Sequence, residues 1–381
     1  MKILVGSVIS RYPCVPGSVL NRLNFIVGLR RLGHEVYFVE EIGADACVNT
    51  KDESCAYEES ANRYLFLELM KQFGLLEKSC QIFNGGEKTA GLTLKHFLAR
   101  TKDALLINMS GHVTLEAIFA NAPRRVYVDQ DPVYTQLWRS EYDVDLNFDA
   151  HDVFFSVGLN IGTEHSPIPD AGVRWQPLLP VIVPELWTQE PPNENGRFTT
   201  IASWSGYGDL EFGGEWYGAK HETFTAFADL PELSEQPFEV ALKSYRDEDE
   251  GIQALRRGGW CISSARDLTS LERYKKFIAH SKAEIGVAKT AYVKGKSGWF
   301  SDRAAHYLAS GRPVLAQSTG FERVLPTGEG VVTFEGLEDA ATGAAHISEN
   351  YTEHAEAAKT FANDWLDYRK VLPEMLGRCS D

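Results

Sequence analysis

The chain has 381 residues, a formal charge of −15 and a pI near 5.2, with 44% hydrophobic and 24% charged residues. That length accommodates two ordinary domains with full cores, and the composition is that of a folded globular protein. An acidic surface repels phosphate backbones and anionic lipid, so neither nucleic acid nor a bare membrane is an expected partner, and any anion site must be built locally.

Residues 2–10 form a continuous apolar run, the pattern of a strand buried on both faces of a parallel sheet. It is too short for a signal peptide, and no stretch reaches the roughly 18 apolar residues of a membrane span. A loop over 11–18 leads to a helical pattern over 21–32, with Leu23, Ile26, Val27 and Leu29 on one side. Gly33 stops it, and a second apolar run over 34–40 completes a βαβ unit. No GxGxxG lies between that strand and helix, which disfavours a hydride-transfer dinucleotide domain. Further strands are predicted at 105–109, 125–128 and 153–157, a helix over 114–120, and an irregular, proline-marked stretch over 173–183.

The polar run Glu190-Pro191-Pro192-Asn193-Glu194-Asn195-Gly196 reads as a linker. After it the βα rhythm restarts, with strands at 198–202, 238–242, 260–262, 283–288, 313–317 and 330–334, and residues 339–376 are helical in pattern. The expected fold class is therefore α/β, with two Rossmann-like β/α/β domains facing a cleft. The six cysteines, Cys14, Cys47, Cys55, Cys80, Cys261 and Cys379, form no CxxC pair and no Cys/His knuckle. This fits a reducing compartment and a cytoplasmic location, although Cys47 and Cys55 stand close enough in sequence to pair.

The segment Gly298-Trp299-Phe300-Ser301-Asp302-Arg303 carries the most chemistry. It reads as a glycine-bearing loop and a short helix capped by Ser301, followed by a stop at Gly311 and a strand opening at Pro313. A helix N-terminus offers unpaired amides and partial positive charge, which suits a diphosphate. Arg303 stands in the first turn, where the helix dipole favours an acid, so it calls for an anionic partner.

These two halves, the Gly33-His34-Glu35-Val36 turn and the Gly311-Arg312-Pro313-Val314 step together resemble a GT-B glycosyltransferase over essentially the whole chain. Trp204-Ser205-Gly206-Tyr207-Gly208, Gly286-Val287-Ala288-Lys289, Gly298 to Arg303, Leu325 to Gly330 and Val128-Asp129-Gln130-Asp131-Pro132 are similar to one bacterial subgroup of such enzymes. The resemblance implies an acceptor-binding domain over residues 1–190 and a nucleotide-sugar-binding domain over 191–360. It also implies a helix over 361–381 that packs back on the first domain. The implied activity is metal-independent transfer from a nucleoside-diphosphate sugar (UDP, GDP or dTDP type), without further cofactor, to an acceptor the sequence does not identify. Oligomeric state is written in no pattern of the chain. The acid pair of many retaining members falls here at Gly298 and His306. His306 is then either a ribose ligand or a core residue, and inversion or retention stays open.

Departure of the leaving diphosphate needs donors and cations. Ser297, Gly298, Ser301 and Arg303 are the first candidates, with Trp299, Phe300 and Asp302 in the same segment. The loop after strand 198–202 offers small residues, Ser205 among them, for close backbone approach, with Trp204 and Tyr207 as walls and Lys220 behind them. The resemblance places Trp260 near the nucleobase, and Thr319 and Gly320 near the sugar or diphosphate. On the acceptor side the 11–18 loop has no acid or histidine, so His112 and Asp131, which follow first-half strands, are the candidate catalytic residues. No metal site is expected, because Asp209, Glu211 and Glu215 sit in a glycine-rich loop. A sugar-nucleotide epimerase on the same fold and a non-catalytic nucleotide-sugar binder are the rival readings.

Overall fold

The computed structural model describes residues 1–13, 15–187, 190–204, 208–218, 220–243 and 246–379, and of residues 220–222 only the backbone. The N-terminal half holds a sheet of eight strands. They are β1 (Lys2–Gly6), β2 (Glu35–Ile42), β3 (Ser79–Phe83), β4 (Lys88–Gly91), β5 (Leu105–Met109), β6 (Arg124–Asp129), β7 (Val153–Ser156) and β8 (Trp175–Pro177). Their order is β4-β3-β2-β1-β5-β6-β7-β8, parallel except where β4 runs antiparallel to β3. Order therefore reverses between β1 and β5, the position at which open α/β sheets form a crevice at their strand carboxyl ends.

The first strand stops at Gly6, four residues short of its apolar run. A side chain on Gly6 would meet Val113 at 2.3 Å, so the chain passes too close to the 113 loop for any larger residue. The helix Pro16–Arg31 follows, beginning five residues earlier than its apolar stripe, with Pro at its first turn where the missing N–H costs nothing. Its Leu23, Ile26 and Leu29 join Ile3, Val5, Val36 and Phe38 in one core.

In the C-terminal half, β9 (Phe198–Ser203) is followed by the hairpin β10 (Leu210–Phe212) and β11 (Glu215–Tyr217). Then come β12 (Phe238–Lys243), β13 (Cys261–Ser264), β14 (Ala283–Gly286), β15 (Val314–Gln317) and β16 (Val331–Phe334). The parallel sheet has the order β13-β12-β9-β14-β15-β16, with its own reversal between β9 and β14. The helix Tyr368–Arg378 packs on Pro16–Arg31, with Tyr368, Val371, Leu372 and Met375 in the N-terminal core. Gly28 allows this approach, since a Cβ there would lie 2.8 Å from Leu372. Arg124 Nε donates to Cys379 O at 2.9 Å, tying the end of that helix to β6.

Among the described residues no helix is long and apolar enough to cross a membrane. Cys47, Cys55, Cys80, Cys261 and Cys379 are free thiols, so Cys47 and Cys55 are not bridged.

Candidate active site

The carboxyl ends of the two sheets face each other across a cleft of about 770 Å3. From the N-terminal half it receives His112 after β5, Gln130 and Asp131 after β6, and Asn21 and Arg22 from the first helix. From the C-terminal half come Ser203 at the end of β9, Lys243 at the end of β12, Lys289 after β14, and the segment Trp299, Phe300, Ser301, Asp302 and Arg303.

The turn before Ser301 is a seam. Ser297, Gly298 and Trp299 run alongside residues 158–160 of the other half, where Gly158 and Trp299 form an antiparallel bridge. Asn160 N donates to Ser297 O at 3.0 Å, and its Nδ2 donates to Lys296 O at 3.0 Å and to Gly320 O at 3.1 Å. The amides of the turn are likewise spent: Ser297 N on Tyr292 O, Gly298 N on Thr319 O, and Trp299 N on Ser297 Oγ. Thr319 Oγ1 donates to Trp299 O at 2.7 Å. The amides of Ser297 and Gly298 and the Thr319 hydroxyl, expected to serve a ligand, are thus engaged within the protein, and of Gly320 the seam takes the carbonyl. Gly298 stays glycine because its φ is +72° and a Cβ would stand 2.8 Å from the Asn160 amide.

Donors become available one residue further on. Ser301 caps the helix Asp302–Ala309, its Oγ accepting from Arg303 N at 3.2 Å. The amides of Ser301 and Asp302 make no hydrogen bond among the described residues. Asp302 Oδ2 accepts from Asn21 Nδ2 at 3.2 Å, and Asn21 also donates to Gln130 Oε1 at 2.9 Å, joining the halves across the cleft floor. Gln130 Nε2 is buried without a partner among the described residues.

Arg303 has its anionic partner within the protein. Its Nε donates to Oε1 of the fully buried Glu284 at 2.6 Å, and its Nη1 to Ile201 O at 2.7 Å. The anionic partner that its place in the first helical turn calls for is thus Glu284. Nη2 is buried with no partner among the described residues, and the side chain borders the cleft.

Three aromatic or imidazole candidates turn away from the cleft. Trp204 packs in the C-terminal core beside Phe224 and against Gly251. Trp260 lies in the same core, and its Nε1 donates to Phe227 O at 3.0 Å and Ala228 O at 3.1 Å, so the indole is a brace for the 227–228 turn rather than a base platform. His306 is 1% exposed, stacked on Trp187 and in a 3.0 Å hydrogen bond with Tyr274 Oη through Nδ1. Burial pushes its pKa down to about 4, so it is a neutral core residue. Ser205 and Tyr207 lie outside the described residues, as does the side chain of Lys220.

His112 stands half-buried on the N-terminal wall of the cleft. Burial, with Arg22 and Arg11 nearby, pushes its pKa down to about 3. It is therefore a neutral imidazole at physiological pH, able to donate or accept one hydrogen bond. Asp131 is 26% exposed, with Oδ1 3.7 Å from Lys289 Nζ and 3.4 Å from Tyr292 Oη. Its neighbour Asp129 is a structural node, fully buried and held by Thr135, Gln136, Ser156 and the Asp131 amide. His151 and Asp152 do not act together: His151 packs between Asn108 and Asn147, while Asp152 accepts from the Arg125 amide.

Lys243, Asn21 and Arg22 are cleft residues that sequence reading did not single out, whereas Lys289 ends the Gly286–Lys289 stretch that carries the resemblance but was not named a site residue. A signal existed for two of them. Asn21, Arg22 and Asn24 are polar residues inside an otherwise apolar helix, and buried polar groups are held by specific partners. Among the described residues no group of three or more His, Cys, Asp or Glu is placed to hold a metal ion.

Two α/β layers opposed across a cleft at their strand ends define the GT-B fold, which this chain has. HepE from Anabaena, in complex with UDP and glucose, is 13% identical, covering 100% of this chain and 99% of its own at a TM-score of 0.58. An α-glucosyltransferase, in complex with UDP and a 13-mer DNA containing a central A:G mismatch, is 12% identical, with 100% of both chains covered and a TM-score of 0.58. AviGT4, a glycosyltransferase involved in avilamycin A biosynthesis, is 11% identical over 100% of this chain and 97% of its own, with a TM-score of 0.52. At such identities the likeness is one of fold. No family model matches the chain, and no curated protein matches it in sequence.

Proposed function

We propose that the protein is a metal-independent glycosyltransferase, with an N-terminal acceptor-binding domain (1–190), a C-terminal donor-binding domain (191–360) and a final helix (361–381) that returns to the first. The donor is a nucleoside-diphosphate sugar. The observation that carries this reading is the charge arrangement of the interdomain cleft: Lys243, Lys289 and Arg303 on the C-terminal side face His112 and Asp131 on the N-terminal side. That the structures of HepE hold UDP or UDP-glucose supports the same donor class here.

In this reading the diphosphate lies at the start of the helix Asp302–Ala309, taking the Ser301 and Asp302 amides, Arg303 Nη2 and the two lysines. Preorganised donors of this kind act where charge develops as the anomeric C–O bond breaks. Trp299, stacked on Tyr292 with centroids 4.5 Å apart, would wall the sugar. His112, being neutral, hydrogen-bonds a hydroxyl of sugar or acceptor, and the Asp131 carboxylate is the base of an inverting displacement.

The test is calorimetric titration with UDP, GDP, dTDP and ADP, followed by the matching nucleotide-sugars with acceptor mixtures, reading nucleotide release. Binding of one nucleoside diphosphate and acceptor-dependent release support the proposal. Absence of binding to all four refutes it, and binding without release under any acceptor leaves a nucleotide-sugar binder instead.

A further inference from the structure

The cleft contains an ion pair made from both halves of the chain. Asp131 follows β6 in the N-terminal half, and Lys289 follows β14 in the C-terminal half. Their Oδ1 and Nζ atoms lie 3.7 Å apart, with side chains 26% and 18% exposed. The ammonium group sits between two aromatic faces, 4.8 Å from the Tyr134 ring centroid and 5.0 Å from that of Tyr292, and donates to Tyr292 Oη at 3.1 Å. Tyr292 Oη donates in turn to Asp131 Oδ1 at 3.4 Å.

This geometry fixes the ammonium between two rings, with the Asp131 carboxylate at ion-pair distance. At 3.7 Å the pair is longer than a charge-assisted N–H···O bond, which closes to about 2.7–2.9 Å. The rings fix the position of the ammonium by cation–π attraction but offer no anion. A lysine head is a compact charge with three rotatable donors, so it can turn from a carboxylate to a more highly charged group within reach. Both side chains open on the cleft, so an arriving anion can compete with the carboxylate for the ammonium.

We propose that Lys289 is an exchangeable counter-ion which makes Asp131 competent only once donor is bound, an inference that rests on the glycosyltransferase reading. In the empty cleft Lys289 neutralises Asp131. An arriving diphosphate takes over the ammonium group, and the carboxylate is left to accept a proton. The acceptor oxygen then bonds to the anomeric carbon as the bond from that carbon to the diphosphate oxygen breaks. The bonding pair leaves with the nucleoside diphosphate, whose charge Lys289 offsets, and the acceptor's hydroxyl proton passes to Asp131. Donor therefore binds before acceptor, and a hydroxyl compound arriving first meets a base already occupied.

The test is a cycle of calorimetric titrations with the nucleoside diphosphate that binds the wild-type protein, starting with UDP, on wild type, Asp131→Asn, Lys289→Met and the double variant. The expected result is that Asp131→Asn tightens binding by about five-fold, because the ammonium no longer has to leave a carboxylate. Lys289→Met weakens binding by about ten-fold, and Asp131→Asn has no effect in the Lys289→Met background. A gain of affinity cannot come from a folding defect. Equal gains from Asp131→Asn in both backgrounds would mean that Asp131 acts on the diphosphate directly, and no gain in either would mean that Lys289 is not exchanged; each overturns the proposal. Failure of the wild type to bind any nucleoside diphosphate would overturn the glycosyltransferase reading itself, and this inference with it.

Discussion

Arg303 is the residue for which a structural and a ligand-binding role make opposite stability predictions. Its guanidinium reaches Glu284 Oε1 at 2.6 Å, and Glu284 is fully buried at the centre of the C-terminal sheet. Arg303→Met keeps the apolar stem but leaves a carboxylate in the core without its cation. Breaking a buried pair from one side costs about 3–5 kcal/mol, because the remaining charge keeps its desolvation cost and loses its counter-charge. For a cooperative unit of the size of the C-terminal half this lowers Tm by roughly 6–20 °C. Glu284→Gln combined with Arg303→Met removes the charge as well as its partner, and should recover more than half of the loss. Thermal and urea unfolding of the two variants without nucleotide are the assay. If Arg303→Met alone shifts stability by less than about 1 kcal/mol, the charge is not held by Glu284 and the burial argument fails. The same experiment is a control for any binding study, since weaker nucleotide binding by Arg303→Met is interpretable only where the variant remains folded.

Three further outcomes are expected. His306 has its pKa lowered from 6.5 to about 4 by burial, so the unfolded chain takes up a proton on acidification before the native state does. Stability is complete above pH 6.5 and falls by up to about 3 kcal/mol as pH drops towards 4; His306→Gln should flatten that part of the urea-midpoint profile, and an unchanged slope would remove His306 as its source. Asn160→Ala orphans the carbonyls of Lys296 and Gly320, and should cost about 2 kcal/mol in urea unfolding while making the two halves easier to separate by limited proteolysis. His112→Ala should depress turnover while leaving nucleotide affinity within about two-fold, since the residue lies on the N-terminal wall of the cleft; loss of both in parallel would indicate a folding effect.

The alternation of apolar runs and helical stripes was enough to read two parallel α/β layers, because strands buried on both faces leave long hydrophobic signatures. It failed at β3, where Ser79 and Gln81 interrupt the pattern although every residue of the strand is buried. Gln81 is polar because it completes a hydrogen-bond network with Glu40 and Ser10, a tertiary requirement with no local trace. The β10–β11 hairpin was missed, because its strands are only three residues long and the stretch around Asp209, Glu211 and Glu215 reads as a glycine-rich loop; Gly213 and Gly214 form its turn at positive φ, +61° and +79°. The site itself was half legible. The helix cap at Ser301 follows local rules, so residues 299–303 could be placed at the cleft from sequence. Which groups of the turn before it are already used depends on tertiary packing: Ser297 N goes to Tyr292 O and Gly298 N to Thr319 O, while Ser297 O accepts from Asn160 N of the other half. Trp204, Trp260 and His306 show the same limit: residue type marks them as able to bind a nucleotide, and only packing shows that they brace the core.

The asymmetry between the two halves has a physical cause at Glu40. After β1 the amides of Ile9, Ser10 and Arg11 converge on Glu40 Oε1 at 2.9, 2.8 and 2.9 Å, while Ser10 Oγ at 2.5 Å and Gln81 Nε2 at 3.2 Å hold Oε2. Three successive amides on one oxygen form the kind of nest that binds a phosphate at the first βα turn of a nucleotide-binding sheet. Here a carboxylate from the next strand fills it. Burial alone drives the Glu40 pKa up, and the hydrogen bonds from Ser10, Ile9 and Arg11 oppose that rise. The N-terminal sheet thus keeps the architecture of a nucleotide-binding layer with its anion position already taken from within. A phosphate could enter only by expelling a fully buried carboxylate from the hydrogen bonds that hold it. In the proposed reading this is why the diphosphate goes to the C-terminal side, where Lys243, Lys289 and Arg303 stand.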